Sequence, residues 1–253
     1  MFNKLSKTLL STAVFAVASF SVCASQLTEA EAQSALLQVD AFRSESASVK
    51  VSATVKAFDE DVLKHTKQYD VYSSSSKRSL VVFKSDSEKG QKVLMKGSDY
   101  WMFMPKSRRP IRITPMQKLL GEASLGDIAT LSWSEDYQVK SVAHAEGVIQ
   151  LELQANSPKL SYQNIQLEID QNDYFPKKAA LYLRSGKHAK TAFFERGIRD
   201  NKVKVVAMTL QDKMQKGQKT VIAYDAVQQI EVPDKLFNPQ ILIRSDLDQL
   251  LTE

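Results

Sequence analysis

The sequence predicts a mainly β protein (an α+β chain) built as a single large, curved antiparallel sheet or incomplete barrel, with helices covering its concave side. Three observations predict it. Apolar and polar residues alternate at period two through most of the chain. Turn-forming residues punctuate the alternating runs. Helical spacing is confined to the two ends and one interruption in the middle.

The elements follow in order. Lys4 and Lys7 precede an apolar run from Leu9 to Val22 that ends in Val22-Cys23-Ala24, the form of a secretory signal peptide spanning 1–24 and cleaved after Ala24. Cys23 admits a second reading, as an acylated lipoprotein thiol, but Val22 before it and Phe20 fit a lipid-attachment box poorly. Residues 25–253 then form one domain. Thr28 and Glu31 have capping-box spacing, and Ala32, Ala35, Leu36, Val39 and Phe42 recur at helical intervals, so a helix is expected from Glu29 to Arg43. From Ser48 to Ala57 the period switches to two, and strand-like runs follow at 68–74, 78–84, 92–96, 100–104 and 111–114. Gln117 to Thr130 breaks the pattern with two apolar pieces separated by Gly121 and Gly126, which reads as short helices or a flap. Strands resume at 137–142, 148–155, 165–169, 179–183, 189–196, 202–210 and 220–230, with turns such as Ser185-Gly186-Lys187 and Asp200-Asn201 between them. Val232-Pro233-Asp234 ends the last strand, and a short helix or two closes the chain near 246–251.

Composition narrows the classes of function. Cleavage after Ala24 removes the sole cysteine, so the mature chain holds together by packing alone, which is feasible at this length. The formal net charge of +5 loses two with Lys4 and Lys7, too small an excess for a nucleic-acid partner. His65, His144 and His188 are isolated from one another and from any metal-type neighbour. There is no phosphate-cradling glycine loop and no nucleophile elbow, and the carboxylate runs Asp59-Glu60-Asp61 and Glu135-Asp136 fall between strands. No catalytic residue, cofactor or metal is expected, and an enzyme is the least favoured class.

Binding has more support. Tyr100, Trp101, Met102, Phe103 and Met104 make both faces of one strand apolar, so each face must meet something dry. A second layer of protein satisfies that requirement without any ligand; an apolar ligand satisfies it too. Lys106, Arg108, Arg109 and Arg112 follow directly, and a cationic turn beside an apolar strand is either a solvated hairpin or the seat of an anionic group.

The block Asp99-Tyr100-Trp101-Met102-Phe103-Met104-Pro105 with Arg108-Arg109-Pro110-Ile111-Arg112-Ile113 resembles the outer-membrane lipoprotein-sorting protein family, the LolA-like proteins, in their longer-chain branch. Leu119-Leu120-Gly121-Glu122-Ala123-Ser124 with Gly126-Asp127-Ile128-Ala129 matches its next segment. Ser185-Gly186-Lys187, Lys190-Thr191, Asp212-Lys213-Met214 and Val232-Pro233-Asp234-Lys235-Leu236-Phe237 extend the likeness along the chain. The resemblance implies an unclosed β-barrel covered by helices and enclosing an apolar cavity for acyl chains. It implies a soluble monomer of the Gram-negative periplasm that carries an acylated cargo, lipoprotein or lipid, towards the outer membrane or to a partner such as an inner-membrane transporter of the resistance–nodulation–division (RND) type, with transient membrane contact. On pattern and motif, Trp101, Phe103, Leu119, Leu120 and Ile128 are the expected cavity and lid, and Arg108, Arg109 and Arg112 the headgroup or partner contact. An RseB-like sensor or adaptor, binding a membrane protein through the same fold, is the alternative.

Overall fold

The computed structural model describes residues 27–44, 48–74, 77–107, 109–121, 123–129, 132–244 and 247–252. The expected signal peptide, Cys23 and Arg108 lie outside them.

Helix α1 (Glu29–Arg43) opens the described chain with the expected capping box: the Glu31 amide donates to Thr28 Oγ1 at 3.3 Å and the Thr28 amide to Glu31 Oε2 at 2.8 Å. Strands β1 (Val49–Asp59), β2 (Val62–Ser74), β3 (Arg78–Phe83), β4 (Lys92–Lys96), β5 (Asp99–Phe103) and β6 (Ile111–Ile113) follow. A central interruption carries β7 (Lys118–Leu120), β8 (Ala123–Ser124), α2 (Leu125–Ala129) and α3 (Trp133–Asp136). The second half is β9 (Tyr137–Ala145), β10 (Val148–Ala155), β11 (Asn164–Asp170), β12 (Pro176–Tyr182), β13 (His188–Arg199), β14 (Lys202–Asp212) and β15 (Gln218–Gln229), closed by a 3₁₀ turn (Asp234–Phe237), α4 (Pro239–Arg244) and α5 (Leu247–Thr252). The β2 strand begins at Val62, earlier than sequence predicts, because residues 62–66 are exposed and show no apolar alternation.

Thirteen strands form one antiparallel sheet in the order β6-β5-β4-β3-β2-β1-β15-β14-β13-β12-β11-β10-β9. The meander is joined where β1 meets β15, with Val49 opposite Gln229 and Asp59 opposite Gln218. It is open where the chain is interrupted, between β6 and β9. One core cluster takes Val81, Val93, Met95 and Tyr100 from one end of the sheet together with Val139, Leu151 and Leu167 from the other. A single core can do this because the sheet curls until its ends approach, as twisted antiparallel sheets of this size do.

The tight β1–β2 and β13–β14 connections put Glu60 and Asp61, and Asp200 and Asn201, at positive φ, the backbone that two-residue hairpins require. α1 lies on the inner face, where Ala32, Ala35, Leu36 and Val39 are buried. Its Gln33 side chain serves the open edge of the sheet: the amide donates to the carbonyls of Ser134 and Tyr137 and accepts from the Val139 amide at 3.0 Å. An edge strand is thus satisfied by a helix side chain rather than by another strand.

The C-terminal helices do not join α1 on the concave side. They cover the outer face of β2–β5, where Val232, Leu236, Phe237, Leu242 and Leu250 pack on Tyr72, Leu80, Val82, Leu94 and Phe103. Arg78 ties them down, with its guanidinium 2.8 Å from Asp234 and 4.7 Å above the Phe237 ring. This corrects the expected placement of the closing helices. Period-two alternation fixes which residues share a face but not which face a terminal segment covers.

Candidate functional site: an apolar hollow inside the open sheet

The inner face is incompletely filled. A hollow of about 990 Å³ lies between α1 and the sheet, and apolar side chains make most of its wall. Val49, Val51 and Ala53 of β1, Val203, Val205 and Met208 of β14, and Tyr224 and Val227 of β15 line it, with Leu37 and Phe42 of α1 on the opposite side. Ligand pockets of this volume and character bury most of a small amphiphile.

The nominated cavity residues fall differently. In β5 the alternation sends Tyr100 to the hollow and Trp101 and Phe103 to the outer face, under the C-terminal helices. Both faces of that strand are dry, but protein covers the outer one. Trp101 and Phe103 are therefore not part of the cavity. Leu119, Leu120 and Ile128 lie on β7 and α2, within the interruption that reaches the hollow through Pro115, Gly126 and Asp127. Arg109 and Arg112 are exposed beside the β6 edge and do not line the hollow; Arg112 pairs with Asp99 and lies 5.9 Å from the Trp101 ring centre.

The interruption is a flap held from both sides. Its two halves are joined by the Leu125 amide donating to the Gln117 carbonyl at 3.0 Å and the Gly126 amide to the Pro115 carbonyl at 2.9 Å. Two glycines permit close passage. A Cβ on Gly121, which has φ +52°, would come within 2.8 Å of Ala57 Cβ and 2.5 Å of Thr220 Oγ1. A Cβ on Gly126 would come within 2.7 Å of Ser161 Oγ.

Asp127 anchors the flap to the sheet. Its carboxylate accepts from Lys190 Nζ at 2.8 Å, from the Ser124 amide and hydroxyl at 2.8 and 2.7 Å, and from the Tyr162 hydroxyl at 2.8 Å. All four residues are buried. Burial, then the neighbouring Asp127 charge, pushes the Tyr162 phenol well above its ordinary range, so it stays a neutral donor. Sequence pattern gave no signal for this cluster, because Tyr162 and Lys190 lie 35 and 63 positions from Asp127.

A second polar anchor joins α1 to α3. Asp40 accepts from the Trp133 and Ser134 amides at 2.9 and 2.7 Å and pairs with Arg43 at 3.3 Å. The Arg43 guanidinium lies 3.4 Å from the Trp133 ring centre, and Phe194 meets the same indole edge-on at 5.8 Å. Burial raises the Asp40 carboxyl, with Arg43 opposing, and lowers the Arg43 guanidinium. Lys77 adds a rim contact to the same helix, 2.8 Å from Glu135 and 2.9 Å from Asp136.

The histidines do not converge. His188 stacks on Tyr182 at 4.8 Å, and burial lowers its imidazole from the ordinary value. His144 accepts from the Leu27 amide at 3.2 Å, and His65 is exposed on β2. Among the described residues no group of three His, Cys, Asp or Glu side chains is placed to hold a metal ion, and no helix is long and apolar enough to cross a membrane.

A curled, unclosed sheet wrapped round an apolar hollow, with one helix and an inserted segment packed on its inner side, defines an open-barrel fold. The LolA superfamily protein of Nitrosomonas europaea shares it at 30% sequence identity and TM-score 0.75, over 82% of this chain and 97% of that one. The chain belongs to the LolA superfamily. A family model described only as that of an uncharacterized protein matches residues 75–244. An outer membrane lipoprotein-sorting protein domain from Vibrio parahaemolyticus has the same fold at TM-score 0.69 and 17% identity, over 86% of this chain and 100% of that one. So does a DUF1329 family protein from Desulfovibrio piger, at TM-score 0.67 and 18% identity, over 83% of this chain and 97% of that one. No curated protein matches the chain.

Proposed function

We propose that the protein is a non-catalytic periplasmic carrier that takes the acyl chains of a lipid or lipid-modified protein into its hollow and delivers them towards the outer membrane or to a partner transporter. The observation that carries this reading is the hollow itself, about 990 Å³ of mostly apolar space that the protein's own side chains leave unfilled. An empty space of that size is costly to a protein core and is retained where something else occupies it. Each methylene moved from water into it contributes about 0.8 kcal/mol before the costs of association, so one acyl chain supplies useful affinity. Membership of the LolA superfamily, and a fold shared with an outer membrane lipoprotein-sorting protein domain, support the choice of cargo. The flap that borders the hollow through Gly126 and Asp127 is the segment whose movement would admit and release it, and Arg109 and Arg112, exposed at the β6 edge, would meet a transporter or membrane surface. Native mass spectrometry of protein taken from a Gram-negative envelope tests the reading. A co-purifying lipid or acylated peptide is expected; a clean apo mass together with no uptake of added lipid would refute it.

A further inference from the structure

Among the described residues, the wall of the hollow carries more positive than negative side chains. Four carboxylates of the described residues line it, and each is already engaged: Asp40 with Arg43, Asp127 with Lys190, and Glu135 and Asp136 with Lys77. Lys159, Arg199, Lys202 and Lys204 line it as well. Lys159 reaches Ser98 at 3.4 Å. Lys204 is buried and caps the end of α1, donating to the carbonyls of Ala41 at 2.9 Å and Ser44 at 3.1 Å.

Arg199 and Lys202 remain, flanking the Asp200-Asn201 turn of the β13–β14 hairpin. Arg199 spends one donor on the Tyr224 carbonyl at 3.2 Å, and among the described residues neither it nor Lys202 pairs with a carboxylate, Asp200 included. Both line the same hollow as the apolar side chains Val203, Val205 and Val227. A guanidinium with free donors and an ammonium, set where an apolar cavity meets solvent, suit an anionic oxygen cluster attached to an apolar chain. The low-dielectric wall strengthens that attraction relative to open surface.

We propose that the cargo is an anionic amphiphile, its phosphate or carboxylate held by Arg199 and Lys202 at the β13–β14 end of the hollow while its chain lies against β1 and β14. This rests on the carrier reading and moves the headgroup contact from the β6 edge to a different hairpin.

The test is equilibrium titration of the exported protein, at low salt and below micelle formation, with three probes: 1-myristoyl-lysophosphatidylglycerol, neutral 1-myristoylglycerol, and inorganic phosphate. The lysophospholipid is expected to bind at least about tenfold more tightly than the neutral lipid, since charge-assisted hydrogen bonds contribute that much or more. The gap should narrow as salt rises. The double variant Arg199→Gln/Lys202→Gln should abolish the gap between the two lipids. Equal binding of the two lipids by the unaltered protein, or a gap that survives in the double variant, would overturn the anion site and leave the apolar hollow standing. Inorganic phosphate binding as tightly as the lysophospholipid would overturn the amphiphile and leave a plain anion site. Failure of both lipids would overturn the carrier reading itself, and this inference with it.

Discussion

At the scale of single residues the molecule relies on a few buried polar groups whose partners come from distant parts of the chain. Asp127 is the clearest case, holding Lys190, Ser124 and Tyr162 at once with all four residues buried. Removing one member of a buried pair costs more than removing both, because the survivor keeps its charge without compensation. Asp127→Asn is therefore expected to lower stability in urea by about 3–5 kcal/mol. The apolar double variant Asp127→Leu/Lys190→Met should lose less. A loss below about 1 kcal/mol for Asp127→Asn would show that the flap is anchored by other contacts. None of this was legible in the sequence, where Asp127 is one acid in a short helical piece and Lys190 one base in a strand. Asp40 is similar: helical spacing places it near the buried stripe of α1, but its partners, the Trp133 and Ser134 amides, lie some ninety positions away.

At the scale of elements the reading from sequence went furthest where a period or a cap governs the outcome. Helix α1 runs over the expected Glu29–Arg43, and β10 shows the expected alternation, with Ile149, Leu151 and Leu153 buried and Gln150, Glu152 and Gln154 exposed. Periodicity failed where burial is two-sided. The run from Tyr100 to Met104 announced that both faces of β5 are dry but could not say that Trp101 and Phe103 meet the C-terminal segment while Tyr100 meets the hollow. The outer layer now has a definite energetic role. Phe237 is buried under the Arg78 guanidinium, and Phe237→Ala is expected to destabilise the fold by about 3–5 kcal/mol. Urea unfolding followed by fluorescence measures it, and an unchanged midpoint would mean that the outer layer contributes nothing to holding β2–β5. Lipid uptake, which the proposed function assigns to the other face, should be unaffected.

At the scale of the whole molecule, the topology explains how the sheet can be both closed and open. Pairing of the first and last strands seals it on one side and the break between β6 and β9 leaves it open, while the interrupting segment folds onto β1, β15 and β13. The meander and its central interruption were visible in the sequence as turn spacing and a loss of alternation. The hollow was implied by the family resemblance alone, because a cavity is a deficit of volume summed over many residues and no local pattern records it. The two tryptophans offer a direct test of which face takes the cargo: Trp133 lines the hollow, whereas Trp101 packs under the outer helices. Titration with a lipid whose acyl chain carries bromine, a short-range quencher, should quench tryptophan emission in Trp101→Phe and leave Trp133→Phe almost unquenched. Quenching that follows Trp101 instead, or no quenching in either variant, would contradict an acyl chain in the inner hollow.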